Sequence, residues 1–388
     1  MTDTAPRTHL RHDGYLGVFA LDEARGWGAL HVTVKRGFRL VPDGLMVPRA
    51  LQTVCFVDDR RFEEAPPFVG GVRYESDLGP PKPLCDVVVE ASCHPPGGEA
   101  TRCDVAVTVG EHDPLRLTVV GDRTAIIAPD GRVRFTPATP FSVRPIRYEW
   151  AYGGVDNHTP MPILCPPNPV GTGYVMTPMP GVPVGWRQVA LPSIEHHGGL
   201  MTPDDFLAPS DPEQARPPAG FGWIDRQWNP RLKQAGMPPE MGGFWSLMFP
   251  GATSTAGYSK DRGADYWQGA PRRLQLEVEG FERMVFEHLH PEHPQLMVQL
   301  PIASPQLRAR VGDDEPVSVK LGLSTVHVQI EREHATLCWR GTIERDDVDP
   351  EAPVPVRLKV DGRALPPPET VTDTAWDPLD PPRVKAGG

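Results

Sequence analysis

The sequence predicts a mainly β protein: antiparallel sheets, sandwich-like, in two β regions joined by a loop-rich centre with few short helices. Three observations carry this. The chain has 48 prolines and 38 glycines among 388 residues, more breakers than a helical bundle tolerates. Apolar and polar residues alternate with period two toward both ends of the chain. Between those ends the alternation fades, and proline, glycine and tryptophan take over.

In the first region, residues 1–145, Leu30, Val32 and Val34 alternate with His31, Thr33 and Lys35, the pattern of a half-buried strand. DVVVEAS (86–92), DVAVTVG (104–110) and LRLTVVG (115–121) repeat it, separated by the turn-rich CHPPGGEATRC and EHDP, as in an antiparallel meander. The centre, 146–270, holds six of the nine tryptophans: Trp150, Trp186, Trp223, Trp228, Trp245 and Trp267. That density predicts long ordered loops packed on aromatic anchors, with short helices around PDDFL (203–207) and within PRLKQAG (230–236). Alternation returns in 271–345, at RRLQLEVEGF (272–281), QLMVQLP (295–301), SVKLGLSTVHVQIE (318–331) and ATLCWRGTIE (335–344). The Pro/Asp-rich tail, 346–388, carries one candidate strand, VPVRLKV (354–360), and a partly mobile end is expected.

A formal net charge of −11 argues against a nucleic-acid partner, because neutralising phosphates requires clustered Lys and Arg. The N-terminus shows no apolar run behind a basic start, and no eighteen apolar residues run together, so a cytoplasmic protein with no membrane partner is expected. Cys55, Cys85, Cys93, Cys103, Cys165 and Cys338 are scattered without a C-x-x-C pair and read as buried free thiols.

A search for chemistry finds no G-x-S-x-G elbow, H-E-x-x-H, P-loop or G-x-G-x-x-G after a strand. GTGYVM (171–176) begins like a dinucleotide loop but lacks the third glycine and a following helical pattern. In EHLHPEHP, His288, His290 and His293 are interrupted by proline and read as a polar strand-to-turn face rather than a metal site. Glu149, Asp156 and Glu195 lie where the acids of a sugar cleft would, but carboxylates in loops usually cap backbone N–H groups. No catalytic, cofactor or metal residues are expected. A β-sandwich carbohydrate-active enzyme or sugar-binding module is the alternative reading.

NPVGTGY (168–174) is a backbone-shaping loop. Pro169 holds Asn168 extended, and Gly171 and Gly173 permit positive φ or close approach of another chain segment. Together with RYEWAYGGVDN (147–157), LPSIE (191–195), PPAGFGWIDRQWNPRLKQAG (217–236) and LQLEVEGF (274–281), it resembles a bacterial family of unknown function whose genes sit beside type VI secretion clusters. YESDLGPPKPLCDVVV (74–89), GDR (121–123) and LSTVHVQIEREHATLCWRG (323–341) extend the resemblance over roughly residues 15–345. The chain departs from the family in having Tyr152 where Phe is usual and Thr172 where Arg is frequent.

The resemblance implies an adaptor or chaperone that binds a toxic effector encoded nearby and helps load it on the secretion spike, the VgrG trimer with its PAAR-repeat tip. It implies no enzymatic activity and no cofactor. An adaptor needs aromatic anchors on a preformed scaffold. The partner-binding or scaffold residues expected are Trp150, Tyr152, Gly153, Gly154, Asn168, Pro169, Gly171, Gly173, Tyr174, Trp223 and Trp228. Two further routes are an exposed sheet edge that accepts an effector strand and, given the acidic balance, attraction of a basic toxin domain.

Overall fold

Alternating valines and leucines at both ends of the chain build two sheets that pack on one core. The computed structural model describes residues 8–13, 17–23, 29–49, 59–62, 70–77, 79–158, 162–176, 185–207, 216–234, 236, 264–301, 304–344 and 356–364. The larger sheet runs Thr8–Asp13, Gly17–Glu23, Ala29–Arg39, His334–Glu344, Gly322–Gln329, Cys85–Glu90, Gln275–Leu276, with Val47–Pro48 pairing Ala29–Arg39. Only Gly322–Gln329 and Cys85–Glu90 are parallel neighbours in it. The second sheet runs Ile194–His196, Leu115–Val120, Arg102–Val109, Arg283–Glu287, Gln295–Gln299, Gly44–Leu45, antiparallel except for its last pair.

Val32, Val34, Val87, Val89, Val326 and Val328 of the larger sheet share one buried cluster with Val105, Val107, Leu117, Val119, Met284, Phe286 and Val298 of the second. The two sheets are therefore layers over a common core, and each fully buried branched side chain contributes on the order of 1.5–3 kcal/mol. The segments 1–145 and 271–345 do not fold as two separate sheets. Ala29–Arg39 pairs over eleven residues with His334–Glu344, and Arg102–Val109 pairs with Arg283–Glu287. Each segment alone exposes an apolar face that the other completes.

Cys85–Glu90 is buried on both sides, with Val87, Val88 and Val89 all inaccessible, which explains its unbroken valine run. Its other side is covered by the loop-rich centre: Val89 N–H donates to the Phe221 carbonyl (3.0 Å), and Trp223 stands edge-on to His327 of the neighbouring strand (6.2 Å).

Several expected elements differ. Of RRLQLEVEGF only Gln275–Leu276 is strand; Arg272–Leu274 is a 3₁₀ turn after Pro271. Beyond it the Glu282 carboxylate gathers the N–H groups of Glu279, Gly280 and Phe281 (2.6, 2.9 and 3.0 Å) and turns the chain. PDDFL is a turn rather than a helix, tied by Thr202 Oγ1 donating to Asp205 (2.8 Å) and anchored by the inaccessible Phe206. PRLKQAG does form a helix, Asn229–Gln234. SVKLGLSTVHVQIE divides into Val317–Val319 and Gly322–Gln329, in different sheets, and Val356–Val360 of the tail pairs with Leu307–Val311. Cys85, Cys93, Cys103, Cys165 and Cys338 are free and buried; Cys55 and Trp245 lie outside the described residues. Among the described residues no helix is long and apolar enough to cross a membrane.

Candidate partner-docking cleft

The site has three parts: a glycine knot, a buried ion lattice, and an open cleft over the lattice. In the knot, Tyr152–Gly153 pairs in parallel with Thr172–Gly173. Asn168, completely inaccessible, fastens it. Its Nδ2 donates to the carbonyls of Tyr148 (2.8 Å) and Tyr152 (3.0 Å), while its own carbonyl accepts from Gly154 N (2.8 Å) and Gly171 N (3.3 Å). No side chain fits here. A Cβ at Gly154, where φ is +97°, would lie 2.3 Å from the Gly171 carbonyl oxygen, and one at Gly171 would lie 2.4 Å from Asn168 Nδ2. Pro169 is half-buried beside Asn168, and Thr172 Oγ1 donates to the Glu149 carbonyl (2.8 Å).

The knot joins two cores. Tyr152 and Tyr174 meet edge-on (6.2 Å) in a small cluster with Ile127, Cys165 and Phe206. On the other side Tyr148 packs edge-on against Trp228 (5.3 Å), and its hydroxyl donates to the Gly222 carbonyl (3.1 Å), locking 147–157 onto 217–236.

The ion lattice ties YESDLGPPKPLCD (74–86) to IDRQWNPRLK (224–233). Glu75 receives Arg226 Nε (3.2 Å), Lys82 Nζ (3.2 Å) and Arg231 Nη1. Lys82 also bonds Asp86 (2.5 Å), and Asp86 accepts from Gln268 Nε2 (2.8 Å), Gly269 N (2.9 Å) and Ala270 N (3.1 Å). Lys82 lies over the Trp223 ring (5.0 Å) and Arg226 over Trp267 (5.3 Å). Burial alone would raise the Glu75 carboxyl, but Arg231, Lys82 and Arg226 together hold it well below the usual carboxylate range. At Asp59, which faces Arg226, burial wins and the carboxyl is pushed up. Arg61 extends the lattice to Asp225 (2.6 Å). Arg231, on the helix Asn229–Gln234, is inaccessible, and its Nη2 has no hydrogen-bond partner among the described residues.

Above the lattice opens a cleft of about 590 Å³, within the range of ligand sites. It lies where the edge strands of the two sheets, Ile194–His196 and Gln275–Leu276, approach the helix. Leu115, Pro217, Pro218, Ile224, Ala270 and Pro271 supply apolar lining; Arg116, Arg231, Lys233, Arg272 and Arg273 supply cations, with His196 and His197 alongside. No carboxylate lines it among the described residues. Arg116 pairs with Glu287 (2.8 Å) and Arg231 belongs to the lattice, whereas Arg272 and Arg273 are exposed and have no ion pair among the described residues. Burial lowers the pKa of His196, whose Nε2 lies 3.3 Å from the Pro217 carbonyl oxygen. A second cleft, about 410 Å³, mixes signs: its Arg73 and Glu90 form a two-bond pair (2.9 and 3.0 Å).

The expected site residues thus divide. Tyr152, Gly153, Gly154, Asn168, Gly173, Tyr174, Trp223 and Trp228 are buried scaffold, Pro169 and Gly171 are half-buried, and Trp150 alone of the aromatics is substantially exposed, at 40%. Arg144 stacks over its ring (5.2 Å). The three acids considered as sugar-cleft groups are engaged by backbone: Glu149 Oε1 accepts from Gly71 N (2.6 Å), Asp156 from His158 N (2.8 Å) and Met176 N (3.1 Å), and Glu195 from Met201 N and Arg123. His290 Nδ1 accepts from the N–H groups of Glu292 and His293 (both 3.1 Å), a turn cap. Sequence reading missed the cations of the cleft, because they come from segments far apart in the chain. The doublet Arg272–Arg273 was the one local signal.

Comparison with known proteins gives a family match: the sequence profile of "Uncharacterized protein conserved in bacteria (DUF2169)" matches residues 25–340. No curated protein and no solved structure matches the chain.

Proposed function

The chain belongs to the DUF2169 family, and on that premise we propose that it is a type VI secretion adaptor, which holds a toxic effector in the cytoplasm and helps load it on the VgrG/PAAR spike. One observation supports this reading above others: segments adjoining or within three separate motifs converge on a single open cleft. His196 and His197 follow LPSIE, Pro217 to Gln234 lie within PPAGFGWIDRQWNPRLKQAG, and Arg272 and Arg273 precede LQLEVEGF. The knot and the lattice fix these segments before any partner arrives, which lowers the ordering cost of binding.

The experiment is co-purification of the tagged chain with the products of neighbouring genes, with a glycan array run alongside. Stable capture of one effector, and retention of the chain in the cell while the spike reaches the medium, is the expected result. Failure to capture any neighbouring effector or spike protein, or specific glycan binding instead, contradicts the proposal; appearance in the medium with the spike makes the chain a component of the injected apparatus.

A further inference from the structure

We infer that the cleft between the two sheet edges takes an acidic, extended segment of the partner, its carboxylates on Arg272 and Arg273 and its apolar side chains on Leu115, Ile224 and Pro271. This rests on the adaptor reading for the identity of the partner, though not for the chemistry of the cleft. The chain as a whole is acidic, with a net charge of −11, yet among the described residues this cleft has five cationic side chains and no carboxylate in its lining. In the second cleft Arg73 is paired with Glu90 of the same lining; Arg272 and Arg273 are exposed and have no ion pair among the described residues. Arg231, held on Glu75, borders the cleft from below, and its buried Nη2 lacks a hydrogen-bond partner among the described residues.

Planar guanidinium groups suit carboxylates, which they bind through two parallel hydrogen bonds. The local extent of the charge selects the class of ligand. A nucleic acid would run beyond the cleft onto a predominantly acidic protein and meet repulsion, whereas a short acidic stretch keeps its charge within the cationic walls. The apolar lining favours a peptide with alternating acidic and apolar side chains over a bare polyanion. This reverses the expectation that the acidic balance serves to attract a basic toxin domain: the docking charge is local and positive.

The test uses the full chain and two labelled peptides, an Asp-Leu-Pro repeat and the matched Lys-Leu-Pro repeat, read by fluorescence anisotropy. The acidic peptide is expected to bind, to weaken as salt rises, and to lose at least about tenfold in affinity in the R272E/R273E variant. R132E, which reverses a charge on an exposed side chain paired among the described residues with Asp130, is expected to bind like the wild type. Matching thermal unfolding of the variants shows that the loss is local. Equal binding of the basic peptide, undiminished binding by R272E/R273E, tighter binding of a single-stranded oligonucleotide, or no peptide binding overturns the inference. An effector that R272E/R273E still captures overturns it while leaving the adaptor reading intact. Acidic-peptide binding with no effector captured supports the cleft chemistry and sinks the adaptor reading.

Discussion

Around Gly154 and Gly171 the loop-rich centre is held by uncharged hydrogen bonds and close backbone approach where no Cβ fits, with the Asn168 side chain as the fastener. Around Glu75 the same centre is held by charge, three cations on one buried carboxylate. The knot depends on shape and resists changes of pH or salt. The lattice depends on ionisation, and its charges cost much to bury unless every partner is present. One irregular segment thus has a steric fastening beneath its tyrosines and an electrostatic one beneath the cleft.

The lattice should break hardest. Glu75→Gln leaves Arg226, Arg231 and Lys82 buried against too little negative charge, and a loss of about 3–5 kcal/mol is expected in urea unfolding. Adding Arg231→Met should recover part of it, because the surplus charge is what destabilises; no recovery would mean that Glu75 acts through packing.

Next comes the knot. Gly154→Ala places a methyl group 2.3 Å from the Gly171 oxygen at a φ of +97° and should cost roughly 2–3 kcal/mol, equally at pH 5 and pH 8. Gly171→Val should likewise damage folding first and partner binding as a consequence; a fully folded variant that loses only binding would make the loop a contact surface.

Acid separates the two regions further. The Glu75 pKa is depressed by folding, so its contribution is complete above the unfolded carboxyl range, near pH 4.5, and is lost as pH falls below it. His31 is lowered to about 4 and His334 to about 3, both chiefly by burial, so the unfolded state protonates first and stability also declines from about pH 6.5 downward. A melting temperature that stays flat from pH 7 to about pH 4 would contradict the histidine assignments, and one that stays flat below about pH 4.5 would contradict that of Glu75. The smallest effect is expected from Trp150→Ala: the side chain is 40% exposed, and losing its stack with Arg144 should cost under about 1 kcal/mol.

Much of the fold was legible because alternation reports burial directly. Leu30–Lys35, DVAVTV and ATLCWRGTIE lie in strands, and PRLKQAG overlaps the helix Asn229–Gln234. Pairing was not legible. Nothing local to residues 29–39 says that their partner lies roughly three hundred residues away, so the sequence marks two β regions without showing that they share both sheets. LQLEVEGF alternates like a strand, yet Glu282 curls it. The site was legible in its motifs but not in their roles. Composition cannot distinguish the core side chains Trp223 and Trp228 from the exposed Trp150, and the partners Glu75 and Arg231 stand 156 positions apart.

The most direct test of the docking cleft is hydrogen exchange on the chain with and without its captured effector. Slowed exchange concentrated in residues 194–197, 217–234 and 268–274, with the glycine knot already slow in the free chain, is expected. Protection that avoids these segments and gathers elsewhere on the surface, with the cleft unchanged, would contradict the assignment of the cleft as the docking site.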